Sequence, residues 1–238
     1  MVPIMFGIDV SVHNGDIDWT VTKEHIDFAI IRAGYGRNNI DKCAKQNVKG
    51  CEDNGIPYGL YWFSYAYTVE MARNEAKYLL DFIKGHTPSF PLYFDFEYDS
   101  VNHATKNGVA ITNSLLREMA TAFCEELENS GYYAGIYANT DYVKRMYGED
   151  IFDRYDLWYA KWECSRPDRN VNLWQATSTG KVAGIKSKVD IDYAYIDFPD
   201  LVKSKGLTGH KPSTESDNNV DSKFVCPIGC PHCPHVNK

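Results

Sequence analysis

Three things are scarce in this 238-residue chain, and each scarcity removes a class of function. Basic runs are missing: 25 Lys and Arg stand against 32 Asp and Glu, for a net charge of −7. Nucleic-acid affinity normally rests on a basic face that neutralises phosphates, so no nucleic-acid partner is expected. Long apolar runs are missing too. No stretch approaches the ~18–20 apolar residues that a membrane helix needs, so no membrane insertion is expected. The start, Met1-Val2-Pro3-Ile4-Met5-Phe6-Gly7, lacks the charged and apolar regions of a secretory signal. Cysteine is sparse through most of the chain: Cys43, Cys51, Cys124 and Cys164 are dispersed and read as small reduced core residues, not a disulfide frame.

What is present fits a globular α/β protein. Hydrophobic residues make up 44% and charged residues 24%, so disorder is not expected over most of the chain. Aromatics reach 14%, with 17 Tyr and 5 Trp, which suits rings with a polar edge in a core or lining a cleft. Strand-sized apolar runs at 4–10, 28–33, 58–65, 91–97, 132–138, 157–160 and 173–176 alternate with helical patterns, the grammar of βα units. The spacing predicts a helix over 69–83, capped by Thr68, with Ala72, Ala76, Leu79, Leu80 and Ile83 on one face. A second is predicted over 112–130, with Leu116, Met119, Ala120, Phe123 and Leu127 together and Gly131 as its left-handed stop.

The most informative stretch is Leu92-Tyr93-Phe94-Asp95-Phe96-Glu97-Tyr98-Asp99. In an extended chain Asp95 and Glu97 project to one side, with Cα atoms roughly 6 to 7 Å apart, while Phe94 and Phe96 take the other. Burial and mutual repulsion then favour one carboxyl keeping its proton near neutral pH. Such a pair suits acid/base chemistry, although either acid could equally cap the next loop or pair with an arginine. Closing the βα units into a barrel would gather the strand ends at one rim, and the acids follow that rule. Asp9 ends the first strand, Asp95 and Glu97 end a middle one, and Asp190 and Asp192 sit near the end of the domain.

From about Leu207 the composition turns polar, so the expected division is a barrel over 1–206, a linker over 207–225 and a tail over 226–238. Cys226, Cys230, Cys233 and His235 stand at metal-ligand spacing, yet a zinc knuckle needs a second ligand pair from a distant hairpin. The tail reads as a flexible thiol-bearing segment, with zinc or an intermolecular disulfide as alternatives. No cofactor is expected.

Taken in order, Gly7-Ile8-Asp9-Val10-Ser11, Gly15-Asp16-Ile17-Asp18-Trp19, Phe28-Ala29-Ile30-Ile31-Arg32-Ala33, Gly59-Leu60-Tyr61, Asp95-Phe96-Glu97, Gly135-Ile136-Tyr137, Leu157-Trp158-Tyr159-Ala160, Leu173-Trp174-Gln175 and Val189-Asp190 resemble the glycoside hydrolase family 25 lysozymes. These are the muramidases of the Chalaropsis and phage-lysin type. The resemblance runs from about Phe6 to Phe198. It implies an irregular TIM-like β/α barrel that cleaves the β-1,4 bond from N-acetylmuramic acid to N-acetylglucosamine in bacterial peptidoglycan. It further implies Glu97 as general acid, Asp95 as its neighbour, Asp9 and Asp190 as further rim acids, and Tyr61, Tyr137 and Trp158 along a sugar groove with Gln175 nearby. Asp192 departs from the asparagine frequent in the family, so which of Asp190 and Asp192 faces the groove is open. His13 stands where glutamine is common, as a subsite contact or a surface histidine.

Glycoside cleavage needs a proton for the departing oxygen and a nucleophile at the sugar carbon. Glu97 fits the first need. For the second, the substrate's own acetamido group oriented by Asp95 is preferred, because residues i and i+2 lie on one side of the sugar; retention would follow. The rival readings are a chitinase-like barrel glycosidase, a wall-binding barrel without catalysis, and, last, an Asp-rich metal hydrolase, against which no His pair stands near the acids. A monomer is expected, acting on the wall as a phage or prophage lysin released at lysis, or as a secreted enzyme with its leader trimmed.

Overall fold

The computed structural model describes residues 2–207. The expectations for the polar linker and for Cys226, Cys230, Cys233 and His235 therefore lie outside the described residues.

Nine strands form one sheet: β1 (Met5–Val10), β2 (Phe28–Tyr35), β3 (Asn39–Ile40), β4 (Tyr58–Phe63), β5 (Leu92–Asp95), β6 (Ala134–Asn139), β7 (Asp156–Ala160), β8 (Leu173–Gly180) and β9 (Val189–Ala194). Strand β1 pairs with both β2 and β9, so eight strands close into a barrel and β3 hangs on β2 as a short hairpin arm. Around the barrel, pairing is parallel from β1 through β8, and β9 runs antiparallel to both neighbours. The reversal at β9 makes the barrel irregular: the other seven barrel strands end at one rim, where β9 begins.

Helices α1 (Trp19–Thr22), α2 (Ala44–Asn54), α3 (Val69–Phe82), α4 (Tyr98–Lys106), α5 (Asn113–Asn129) and α6 (Phe198–Ser204) fill the connections. The predicted caps form. Thr68 Oγ1 accepts from Met71 N at 3.2 Å and Thr112 Oγ1 from Leu115 N at 3.2 Å. Each takes up a backbone donor that the helix itself cannot satisfy. Gly55 and Gly131 end α2 and the α5 connection with φ of 67° and 83°. That left-handed geometry costs a side-chain-bearing residue about 1–2 kcal/mol. Helix α5 buries Leu116, Met119, Phe123 and Leu127 against the outside of the sheet, Phe123 meeting Phe94 with ring centroids 5.1 Å apart. Each such side chain contributes about 1.5–3 kcal/mol of burial.

Helix α3 differs from its predicted face. Its buried residues are Ala72, Glu75, Ala76 and Leu79, while Leu80 is only half-buried. An acid occupies the core-facing position because the loop after β4 supplies its hydrogen bonds, which a periodicity of apolar residues cannot register.

Aromatic rings fill the barrel interior, where β1 and β6 make room for them. A Cβ on Gly7 would fall 2.5 Å from the Phe28 ring, and one on Gly135 would fall 2.4 Å from the Tyr93 ring. At the floor, Phe28 stacks on Phe90 at 4.5 Å and Phe90 meets Phe198 of α6 at 5.0 Å, so the last helix stoppers the end opposite the rim. One level up, the Trp158 ring meets Tyr61, Tyr93 and Tyr137 at centroid distances of 5.6, 5.2 and 4.8 Å. This packed core carries the acids above it.

Candidate active site

Strand register brings the acids together. Asp9, one residue before the end of β1, stands opposite Asp190 in β9, while Asp192 stands opposite Gln175 in β8. Asp95 closes β5 beside Tyr137 of β6. The ladder stops at Asp95, so the strand predicted over 91–97 is two residues shorter at this end, and Glu97 is the residue before α4. Its backbone nonetheless stays extended, with φ −127° and ψ −172°, and its N–H donates to Ser100 Oγ at 3.1 Å. Phe94 and Phe96 both pack into the outer core, leaving Asp95 and Glu97 to the barrel mouth.

A chain of hydrogen bonds orients the far side of the bowl. Tyr137 OH and Trp162 Nε1 both donate to Gln175 Oε1, at 2.9 and 3.1 Å, which turns the amide nitrogen toward Asp9; Gln175 Nε2 donates to Asp9 Oδ2 at 2.8 Å. Trp158 Nε1 donates to Asp192 Oδ1 at 2.7 Å. Arg32 of β2, clamped by the buried Asp41 at 2.7 Å, supplies positive charge on the Asp95 side.

Removal from water raises every one of these carboxyls. Burial first, then the charges of Asp192 and Asp190, pushes Asp9 well above the usual carboxylate range. Asp192 is raised by burial to about 7 and held back by the Trp158 N–H and by Asp9. Asp192 Oδ2 meets no hydrogen-bond partner among the described residues. Asp9 and Asp192 act on each other as one buried, interacting pair, both raised. Asp190 is raised by burial. Asp95 goes well up through burial and then repulsion from Glu97, against the pull of Arg32. Glu97 reaches about 7 through burial, then Asp99 and Asp190, and so holds a proton in the neutral range.

Four predicted site residues, Asp9, Asp95, Glu97 and Asp190, thus meet at one mouth. Three others sit deeper than a sugar-lining role requires. Trp158 is 1% exposed, Asp192 is fully buried and Gln175 nearly so; their polar atoms face the acids rather than the groove. Trp158 is corrected from groove wall to support of Asp192, because its strand position points it into the barrel where Tyr61 and Tyr137 cover it. Tyr61 and Tyr137 form the bowl's floor, their hydroxyls surrounded by Asp9, Asp95 and Asp190. His13 is exposed in a short 3-10 turn after β1.

The rings that do face outward escape a reading of the sequence. Trp162 is 48% exposed two residues past the end of β7, and Tyr98, beside Glu97, is 53% exposed. Their signal is position: an aromatic just beyond a strand end at the rim. Arg32 escapes too, since it stands within a β-rich run that gives no hint of a charge partner. Among the described residues no group of three or more His, Cys, Asp or Glu is arranged to hold a metal ion.

A closed β/α barrel with buried carboxyls converging at the strand ends, one of them protonated near neutrality, defines the class: a barrel glycosidase site. The chain belongs to the glycosyl hydrolases family 25, whose model matches residues 8–185. Among solved structures it is similar to the modular autolysin LytC from Streptococcus pneumoniae, determined with a synthetic peptidoglycan ligand, at 27% identity and a TM-score of 0.70 over 80% of this chain and 46% of that one. It is also similar to the CTP1L endolysin, at 25% identity and 0.71 over 84% and 70%. The catalytic domain of endolysin ply40 from bacteriophage P40 of Listeria monocytogenes shares the fold, at 24% identity and 0.71 over 85% and 99%. The chain spans about half the length of LytC. No curated protein matches it.

Proposed function

We propose that the protein is an N-acetylmuramidase that hydrolyses the β-1,4 bond between N-acetylmuramic acid and N-acetylglucosamine in bacterial peptidoglycan. The observation that carries this is Glu97: a carboxyl raised to about 7 at the mouth of a family 25 barrel, beside a second acid with an unengaged oxygen. The peptidoglycan ligand of LytC and the likeness to the CTP1L endolysin support the choice of polymer.

In the proposed reaction Glu97 gives its proton to the bridging oxygen as the glycosidic bond breaks. Positive charge develops at the sugar carbon, and the carbonyl oxygen of the 2-acetamido group attacks it to close a five-membered ring. Asp95 serves as the acceptor for the acetamido N–H: its Oδ1 is buried and meets no hydrogen-bond partner among the described residues. Water, deprotonated by the now ionised Glu97, then opens the ring, returns the proton to Glu97 and leaves the anomeric configuration unchanged. Asp9 holds Gln175, which in turn accepts from the floor residue Tyr137, and the Asp9, Asp190 and Asp192 cluster lies below the developing cation. The catalytic unit is the barrel over 1–206, working as a monomer at the wall.

The test is mass analysis of fragments from purified sacculi, with chitin oligomers in parallel. New reducing ends at muramic acid, and a retained anomer in the earliest NMR spectra, are the expected results. Cleavage of chitin alone would move the protein to the chitinase-like reading, an inverted product would remove acetamido assistance, and binding to sacculi without cleavage would leave only a wall-binding barrel.

A further inference from the structure

Next to the acids, helix α4 and the loop after β4 border an open cavity of ≈ 600 Å³, lined by Tyr65, Asp99, Asn102, His103, Thr105 and Lys106. The half-buried Tyr65 ring lies 5.0 Å from the His103 ring, 5.2 Å from Phe63 and 6.4 Å from Tyr35, and Tyr67 lies 6.0 Å from His103. The wall continues the catalytic bowl. Ser64 N donates to the Asp95 carbonyl at 2.7 Å, and α4 begins directly after Glu97.

The loop that carries Tyr65 is pinned from behind by an acid that the proposed reaction does not use. Glu75 of α3 is buried; its Oε2 accepts from Ser64 Oγ at 2.5 Å and its Oε1 from Tyr65 N at 3.0 Å. Ser64 Oγ in turn accepts from Ala66 N at 3.1 Å. A single carboxyl thus organises three consecutive residues, and those residues set both the Asp95 carbonyl and the Tyr65 ring.

We propose that the Tyr65–His103 cavity is an additional subsite for a neutral N-acetylhexosamine ring of the glycan strand, and that Glu75 is the positioning residue that builds it. The inference rests on the muramidase reading above. The lining chemistry selects the ligand. A ring face on Tyr65 suits the apolar face of a pyranose, while a carboxylate, amide, hydroxyl and ammonium around it offer both donors and acceptors for sugar hydroxyls. A carboxylate-bearing stem peptide would meet Asp99 as well as Lys106 and gain little.

The experiment measures kcat and KM on peptide-free glycan strands prepared from sacculi, for the wild type and for Tyr65→Ala, Tyr65→Trp, Glu75→Ala and Glu75→Gln. A contact made equally in ground and transition states changes KM and spares kcat. Tyr65→Ala and Glu75→Ala are therefore expected to raise KM about 3- to 10-fold with kcat within about twofold. Tyr65→Trp keeps the ring and Glu75→Gln keeps both hydrogen bonds, so each retains a KM near the wild type. Should Glu75→Ala fail to fold, the two Tyr65 variants decide the subsite and Glu75→Gln against Glu75→Asp decides the positioning, Asp being too short to reach the loop. Unchanged KM in Tyr65→Ala, or a fall in kcat with KM constant in Glu75→Ala, overturns the inference while leaving the muramidase reading intact. A wild type that releases no reducing ends from the strands removes both.

Discussion

Trp158 Nε1 donates to Asp192 Oδ1 at 2.7 Å, and this one bond decides the roles of the two acids of the Val189-Asp190-Ile191-Asp192 run. Both alternate residues point into the barrel, but Asp192 is fully buried against an indole, whereas Asp190 sits a step nearer the mouth and is only half-buried. Asp190 is the acid of the run that faces the mouth, and Asp192 lies beneath it against the indole. Trp158→Phe keeps the packing and removes the donor. It should cost about 1–3 kcal/mol, because a buried carboxyl oxygen is left unpaired. Chemical denaturation measures the loss; a variant as stable as the wild type would show that the indole bond adds nothing to the fold.

In the proposed reaction Glu97 sets the alkaline limit of activity. Its pKa is raised from 4.5 to about 7, so the proton needed for the leaving group is present below that pH and lost above it. kcat/KM should fall by about tenfold per pH unit above the limb, which lies close to the Glu97 value of about 7. Glu97→Gln, which has no proton to give, should lose about 10²- to 10⁴-fold in kcat. A limb unmoved from wild type in a residually active Glu97→Gln would assign the titration to another group.

The barrel is legible because its signals are local: turn glycines, cap threonines and apolar runs of strand length sit at or near their predicted places, from Thr68 to Gly131. The acids are legible as well, since strand alternation fixes which side chains share the mouth. What stays hidden depends on contacts between distant segments. Nothing in the Leu157-Trp158 run shows that its indole turns inward onto Asp192, 34 residues on, and nothing around Glu75 shows that Ser64 and Tyr65 will supply its hydrogen bonds. Trp162 is obscured differently: as a lone aromatic after a strand, it looks like any surface ring until Gln175 is found beneath it.

The glycine layer makes a prediction about stability alone. A Cβ at Gly135 would sit 2.4 Å from the Tyr93 ring and 2.9 Å from the Asp156 carbonyl. Tyr93 is fully buried and packed against Trp158, and a backbone carbonyl in the sheet cannot retreat, so neither neighbour yields cheaply. Gly135→Ala should cost about 1–3 kcal/mol or more, read as a lower denaturant midpoint. Gly108→Ala, at an open helix end with φ 78°, would lose stability only through its backbone conformation and serves as the comparison.

Glu75 couples stability to pH with a definite sign. Burial raises its carboxyl from 4.5 to about 8, outweighing the hydrogen bonds from Ser64 and Tyr65 N that favour ionisation. Between those two values the folded protein keeps the proton and the unfolded chain releases it. The unfolded state binds fewer protons there, so stability falls as pH rises. The contribution is fully present below about 4.5 and is lost as pH climbs through about 8. Glu97 and Asp192, each raised to about 7, add to the same trend, so the wild type should melt at a clearly lower temperature at pH 8 than at pH 5. Glu75→Gln removes one of these raised groups while keeping an amide that donates to Ser64 Oγ and accepts from Tyr65 N. Its melting temperature should therefore drop less over the same interval, and equal drops for the two proteins would mean that Glu75 is already ionised in the fold.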